Sequence, residues 1–236
     1  MFRRSSTTFY CFSPPVMIAT FAIEFVLLVY TLWRYKLNNV TRLVAATLIL
    51  LATFQFAEYH VCQGINGSVY SRIGFIAITL LPPLGIHLVR TVSGRGLRVL
   101  VWAAYASALV FVLLFGLNGS SFQSNICAGN YAVFQLAPNL GGWFFTYYYF
   151  WLILGIIQSM YFAISANKRI REALTFQAFG YLSFILPTGI VNALHPETIS
   201  GIPSIMCGFA IIYALMLCFG IAPRVLAERQ LKVNKH

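Results

Sequence analysis

"TRLVAATLILLATFQFAEYHVC", Thr41 to Cys62, decides the fold. No charged residue stands between Arg42 and Glu58. A membrane-spanning helix needs about 20 predominantly apolar residues, and this stretch supplies them. Its end is different in character, because Glu58, His60 and Cys62 fall within five residues. How many such spans the chain holds, and what its few polar side chains do inside them, are the two questions the sequence raises.

Composition answers the first in outline. The chain has 236 residues, 59% hydrophobic and only 9% charged, whereas soluble domains carry about 25% charged residues. Mean hydropathy is +0.78. Asp is absent, and Glu occurs only at positions 24, 58, 172, 197 and 228. Such a chain needs lipid as solvent, so the expectation is a multi-pass protein of the cell membrane. Seven stretches have spanning length, at about 14–34, 41–62, 71–92, 97–117, 142–166, 172–194 and 202–222. The fold class expected is all-α, one seven-helix transmembrane domain over residues 1–236, with 118–141 as the longest connection.

Thirteen of the 16 basic residues fall in alternate loops and the tail, among them Arg34, Arg42, Arg90, Arg98, Arg169 and Arg224. Arg3, Arg4 and Arg72 fall on the other side. The positive-inside rule then puts the N-terminus out and the C-terminus in. Arg3 and Arg4 do not announce a signal peptide, since no small-residue cleavage site follows and Trp33-Arg34 closes the run as an anchored span. The charge of +11 serves topology and anionic headgroups. Nucleic acid is not an expected partner, because no basic stripe with stacking aromatics lies off the membrane.

An ionisable group in hydrocarbon costs a few kcal/mol, so each needs a partner or a task. Helical steps of about 100° put Gln55, Glu58, Tyr59 and Cys62 in one arc and His60 across the helix. Asn192 and His195 end span 6 at the same outer level, and Ser204 and Cys207 begin span 7. A polar ligand pocket of Gln55, Glu58, Asn192 and Ser204 is therefore expected. Cys11, Glu58, His195 and Cys207 make a candidate metal set, whose ligand types suit zinc or copper. Blander readings stand beside these: Glu58 paired with Arg72, His195 as a helix-end residue, Cys207 as a small buried apolar group. Glu24, near the middle of span 1, reads as separate, a carboxyl hydrogen-bonded to a neighbouring helix.

Cys62 and Cys127 both fall on the outer side, where a disulfide between them would pin the long loop over the bundle mouth. Pro82-Pro83 should free carbonyls and kink span 3. "WFFTYYYFW", residues 143–151, reads as an aromatic belt at headgroup level, or as the wall of a pocket for a flat apolar ligand.

"CFSP" (Cys11 to Pro14), "FQFAE" (Phe54 to Glu58) and "SIMCGFA" (Ser204 to Ala210) together resemble an uncharacterised bacterial family of seven-span membrane proteins with an N-terminal Cys-Phe-Ser motif. The likeness runs the length of the chain on short motifs. It departs in having ten residues ahead of Cys11, and Tyr59 where that pattern has Gly. It implies Cys11, Gln55, Glu58, Ser204 and Cys207 as shared positions, with no activity attached. A looser likeness, through "RIGFIAITLLPPLGIHLV" (Arg72 to Val89), is to the seven-span sensor modules of bacterial histidine kinases. It implies signalling through a separate partner.

The function expected is a sensor- or receptor-like membrane protein binding a ligand or metal near the outer face, between spans 1, 2, 6 and 7. The alternatives are an intramembrane metal-dependent lipid hydrolase with Glu58 as general base, a proton or transport path through Glu24, and an accessory subunit of a membrane complex. Membrane lipid or a small apolar ligand is the expected small partner. A retinal pump is excluded, because spans 6 and 7 hold no Lys for a Schiff base.

Overall fold

The computed structural model describes residues 14–117, 122–128 and 131–233. Helix α1 runs Pro14–Arg34, α2 Asn39–Cys62, α3 Gly67–Ser93 and α4 Arg98–Leu117. Strands β1 (Phe122–Ala128) and β2 (Tyr131–Leu136) follow, then α5 (Pro138–Ile164) and α6 (Lys168–Leu194). A 3-10 turn at Pro196–Gly201 leads to α7 (Ile202–Leu215), a π-helical turn at Met216–Ile221, and α8 (Ala222–Val233). Among the described residues, seven helical segments are long and apolar enough to cross a membrane, the last running unbroken from Ile202 to Glu228. That is the composition of a multi-pass membrane protein, as expected.

The fold is helical as expected, and the connection at 118–141 adds one local element that the expectation did not include. It carries an antiparallel hairpin, with Ile126 opposite Val133 and Ala128 opposite Tyr131, and β1 lies against α2 and α3. The signal was present: two runs with aromatic and β-branched residues flank Gly129-Asn130.

Local chemistry fixes the helix ends. Asn38 Oδ1 accepts from the backbone N–H groups of Val40 at 2.8 Å and Thr41 at 3.2 Å, while Thr41 Oγ1 accepts from the Asn38 N–H at 2.8 Å. This reciprocal cap satisfies donors that a helix start leaves bare. Asn167 caps α6 through the Ile170 N–H at 3.1 Å. Pro83 has no N–H for the carbonyl of Thr79. The Tyr147 hydroxyl takes that place, donating to Thr79 O at 2.7 Å. The freed carbonyl thus ties α3 to α5.

Burial separates inner from outer helices. About two thirds of the apolar windows of α2 and α3 are buried, against 28% for α1 and 22% for α4. The α2, α3 and α7 helices form the centre, and the lipid-facing sides of α1 and α4 carry exposed Phe25, Trp33 and Trp102. The π turn is braced from α1: Tyr35 donates to Cys218 O at 3.0 Å and Thr31 Oγ1 meets Cys218 Sγ at 3.2 Å.

Candidate functional site

Packing of α1, α2 and α7 brings Glu24, Glu58 and Cys207 within electrostatic range of one another and Ser204 beside Glu58, while Gln55 stands one turn before Glu58 on α2. All five are buried, with Glu24 fully enclosed and Glu58 1% exposed. Glu24 and Glu58 are close enough to act on each other electrostatically, and both act on Cys207. Glu24 is therefore part of the site, which corrects its placement as a separate mid-span carboxyl.

The site is under-bonded. Both Glu24 carboxyl oxygens, Glu58 Oε1, Gln55 Nε2 and Ser204 Oγ have no hydrogen-bond partner. Ser204 lies against the Glu58 carboxyl, but its Oγ falls outside hydrogen-bonding geometry. Leaving a buried polar group unpaired costs about 1–3 kcal/mol. Five such atoms on three mutually packed helices mark a region where a partner belongs. Arg72 is not that partner, since no ion pair joins it to Glu58 among the described residues.

Asn192 Oδ1 accepts from Thr198 Oγ1 at 2.7 Å, a bond that closes the α6–α7 turn. His195 is the residue at the α6 C-terminus, half-buried, with its carbonyl taken by Thr198. Cys11 lies outside the described residues. Among the described residues no three His, Cys, Asp or Glu side chains gather into a set able to hold a metal. His60 points away as helical phase required, stacked on Tyr70 at 4.3 Å with its Nδ1 2.9 Å from Phe56 O. Cys207 and Cys218 are free thiols. Cys62 is disulfide-bonded, while the side chain of Cys127 lies outside the described residues.

Beneath the polar cluster the interior turns aromatic. Cys207, Tyr148, Tyr181 and Tyr213 line a cavity of about 20 Å³, room for one water. A second void of about 10 Å³ touches Phe144, Tyr148, Met206 and Cys207. Of the aromatic run at 143–151, Phe144, Tyr147, Tyr148 and Trp151 are buried, while Trp143 and Phe150 face outward. The run is a belt on one side and a wall on the other. Neither void admits a flat apolar ligand in this conformation.

No protein-family model matches the chain, and none of the curated proteins matches it.

Proposed function

We propose that this is a receptor-like membrane protein that binds a small polar or charged ligand between α1, α2 and α7, with the N-terminus outside. The single observation that supports the reading is the set of five unpartnered buried polar atoms carried by α1, α2 and α7, four of them on the interacting Glu24, Glu58 and Ser204. A purely structural network would have satisfied itself internally, because an incomplete one costs more than an apolar core. The smallness of the neighbouring voids limits the ligand to an ion or a group of a few atoms.

The test is a thermal-shift panel on protein in lipid nanodiscs, with metal cations, primary amines and short amino acids as probes. A ligand at about 100 times its Kd adds ~2.7 kcal/mol, which at ~2–4 °C per kcal/mol raises the midpoint by ~5–10 °C. Wild type responds to at least one class, and Glu58→Gln does not. A panel without effect on wild type, or with equal effect on both proteins, contradicts the reading.

The outer mouth of the bundle is closed, in this proposal, by a Cys62–Cys127 disulfide. Cys62→Ser and Cys127→Ser should then lower the midpoint equally, by ~3 kcal/mol each, and the double variant should add nothing. Additive losses would show that the two sulfurs have different partners.

A further inference from the structure

The chemistry of the unpartnered atoms says more about the ligand. Glu24 and Glu58 supply four carboxyl oxygens, and Gln55 and Ser204 supply one each, six in all from side chains that are 98% buried or more. Gln55 now turns its Nε2 to empty contact, and a half-turn of the carboxamide presents its oxygen in the same place. The electrostatic neighbours that bear on the two carboxyls are each other, the Ser204 hydroxyl and the Cys207 thiol, none of them a cation. The two carboxyls therefore interact with no positive side chain beside them.

We propose that Glu24, Gln55, Glu58 and Ser204 form a binding site for one hard divalent cation, with Ca²⁺ the ion that fits. The inference rests on the reading above that this pocket binds a ligand. Charge favours a divalent ion, because two carboxylates and one Ca²⁺ sum to zero in a region where net charge is costly. Ligand number agrees, since Ca²⁺ takes 6–8 oxygens at about 2.3–2.6 Å in flexible geometry. Mg²⁺ fits poorly, because it keeps several waters and the adjoining voids hold about one. Zinc and copper fit poorly for another reason. They favour sulfur and imidazole, yet Cys207 does not join the two carboxyls in a three-ligand set. Ser204 carries the argument beyond a mere acidic pair, for it is neutral, buried and set beside the Glu58 carboxyl with no bond of its own, and Gln55, one turn before Glu58 on α2, is likewise buried with its Nε2 unpaired.

The experiment is equilibrium dialysis of chelator-treated, nanodisc-embedded protein against radioactive Ca²⁺, with the thermal midpoint read in parallel. Wild type binds one Ca²⁺ per chain. Removing a support residue around a metal costs ~10–100-fold in affinity, so losing a direct carboxylate ligand costs ~100-fold or more. Glu24→Gln and Glu58→Gln should each show that loss, while Ser204→Ala loses less. The isosteric Gln variants keep the packing, and a monodisperse size-exclusion profile for each confirms a folded chain. The proposal is overturned by a folded wild type that binds no Ca²⁺. It is equally overturned by undiminished binding in both Gln variants, or by preferred Zn²⁺ binding that Cys207→Ala abolishes. A wild type that answers amines or Na⁺ but not Ca²⁺ overturns the ion and leaves the ligand pocket standing. A wild type that answers no probe removes both.

Discussion

Gly85→Ala should lower the thermal midpoint by ~10 °C, the largest loss expected of any single methyl group added to this protein. A Cβ at Gly85 would fall inside the Tyr181 hydroxyl. Tyr181 is hemmed in as well by Gly155 on α5, where a Cβ would come 2.7 Å from Tyr181 Cε2. Two glycines on α3 and α5 thus grip one tyrosine of α6, and the helices approach through the missing side chains. Overpacking typically costs ~1–3 kcal/mol, and a Cβ that overlaps a buried tyrosine already in close contact with a second glycine belongs at the upper end. At ~2–4 °C per kcal/mol for a chain of this size, the shift follows. Gly189→Ala is the control: it meets nothing within 4 Å and should be neutral or gain up to ~1 kcal/mol from helix propensity. Tyr181→Phe should restore part of the loss in the Gly85→Ala background, since the hydroxyl it removes is both the obstacle and an unpartnered group. Equal midpoints for Gly85→Ala and Gly189→Ala would contradict this packing.

The spans were legible because hydropathy over 20 residues is a strong signal. Asn38 extends α2 two residues earlier than the apolar run suggests, and Asn167 does the same for α6 by four, since caps set ends that hydropathy does not see. Helical phase grouped Gln55 with Glu58, both of them buried, and set His60 apart, where it stacks on Tyr70. Ser204 and Cys207 reach Glu58 because α7 packs on α2, a pairing that depth alone suggested.

Depth also misled. Counting residues from the outer end of each span put Glu24 well below Glu58, but counting assumes that helices share one level and one tilt. The offset of α1 against α2 is set by packing, and packing brings the two carboxyls together. The signal that should have outweighed the count is a carboxyl in the middle of an apolar span, which is a site residue by default. Asn192 and the His195 carbonyl both accept from Thr198 in the α6–α7 turn, a local bond that their level in the span does not announce.

If the polar cluster exists for a ligand, the protein without that ligand bears its cost. Glu24→Met with Glu58→Met keeps similar volume and removes three unpartnered oxygens from the core. Replacing buried ionic groups by apolar ones of similar size commonly gains ~1–4 kcal/mol. Here no internal hydrogen bond is sacrificed to offset it, so a midpoint rise of ~5–10 °C is expected for the double variant. Binding should be lost at the same time, the usual exchange of function for stability. The decisive measurement is therefore the thermal midpoint of chelator-treated, ligand-free wild type beside the Met/Met double variant, both in nanodiscs. A more stable variant identifies Glu24 and Glu58 as groups kept for binding. A variant several degrees less stable would show that the two carboxyls hold the bundle together, and the ligand site would have to be given up.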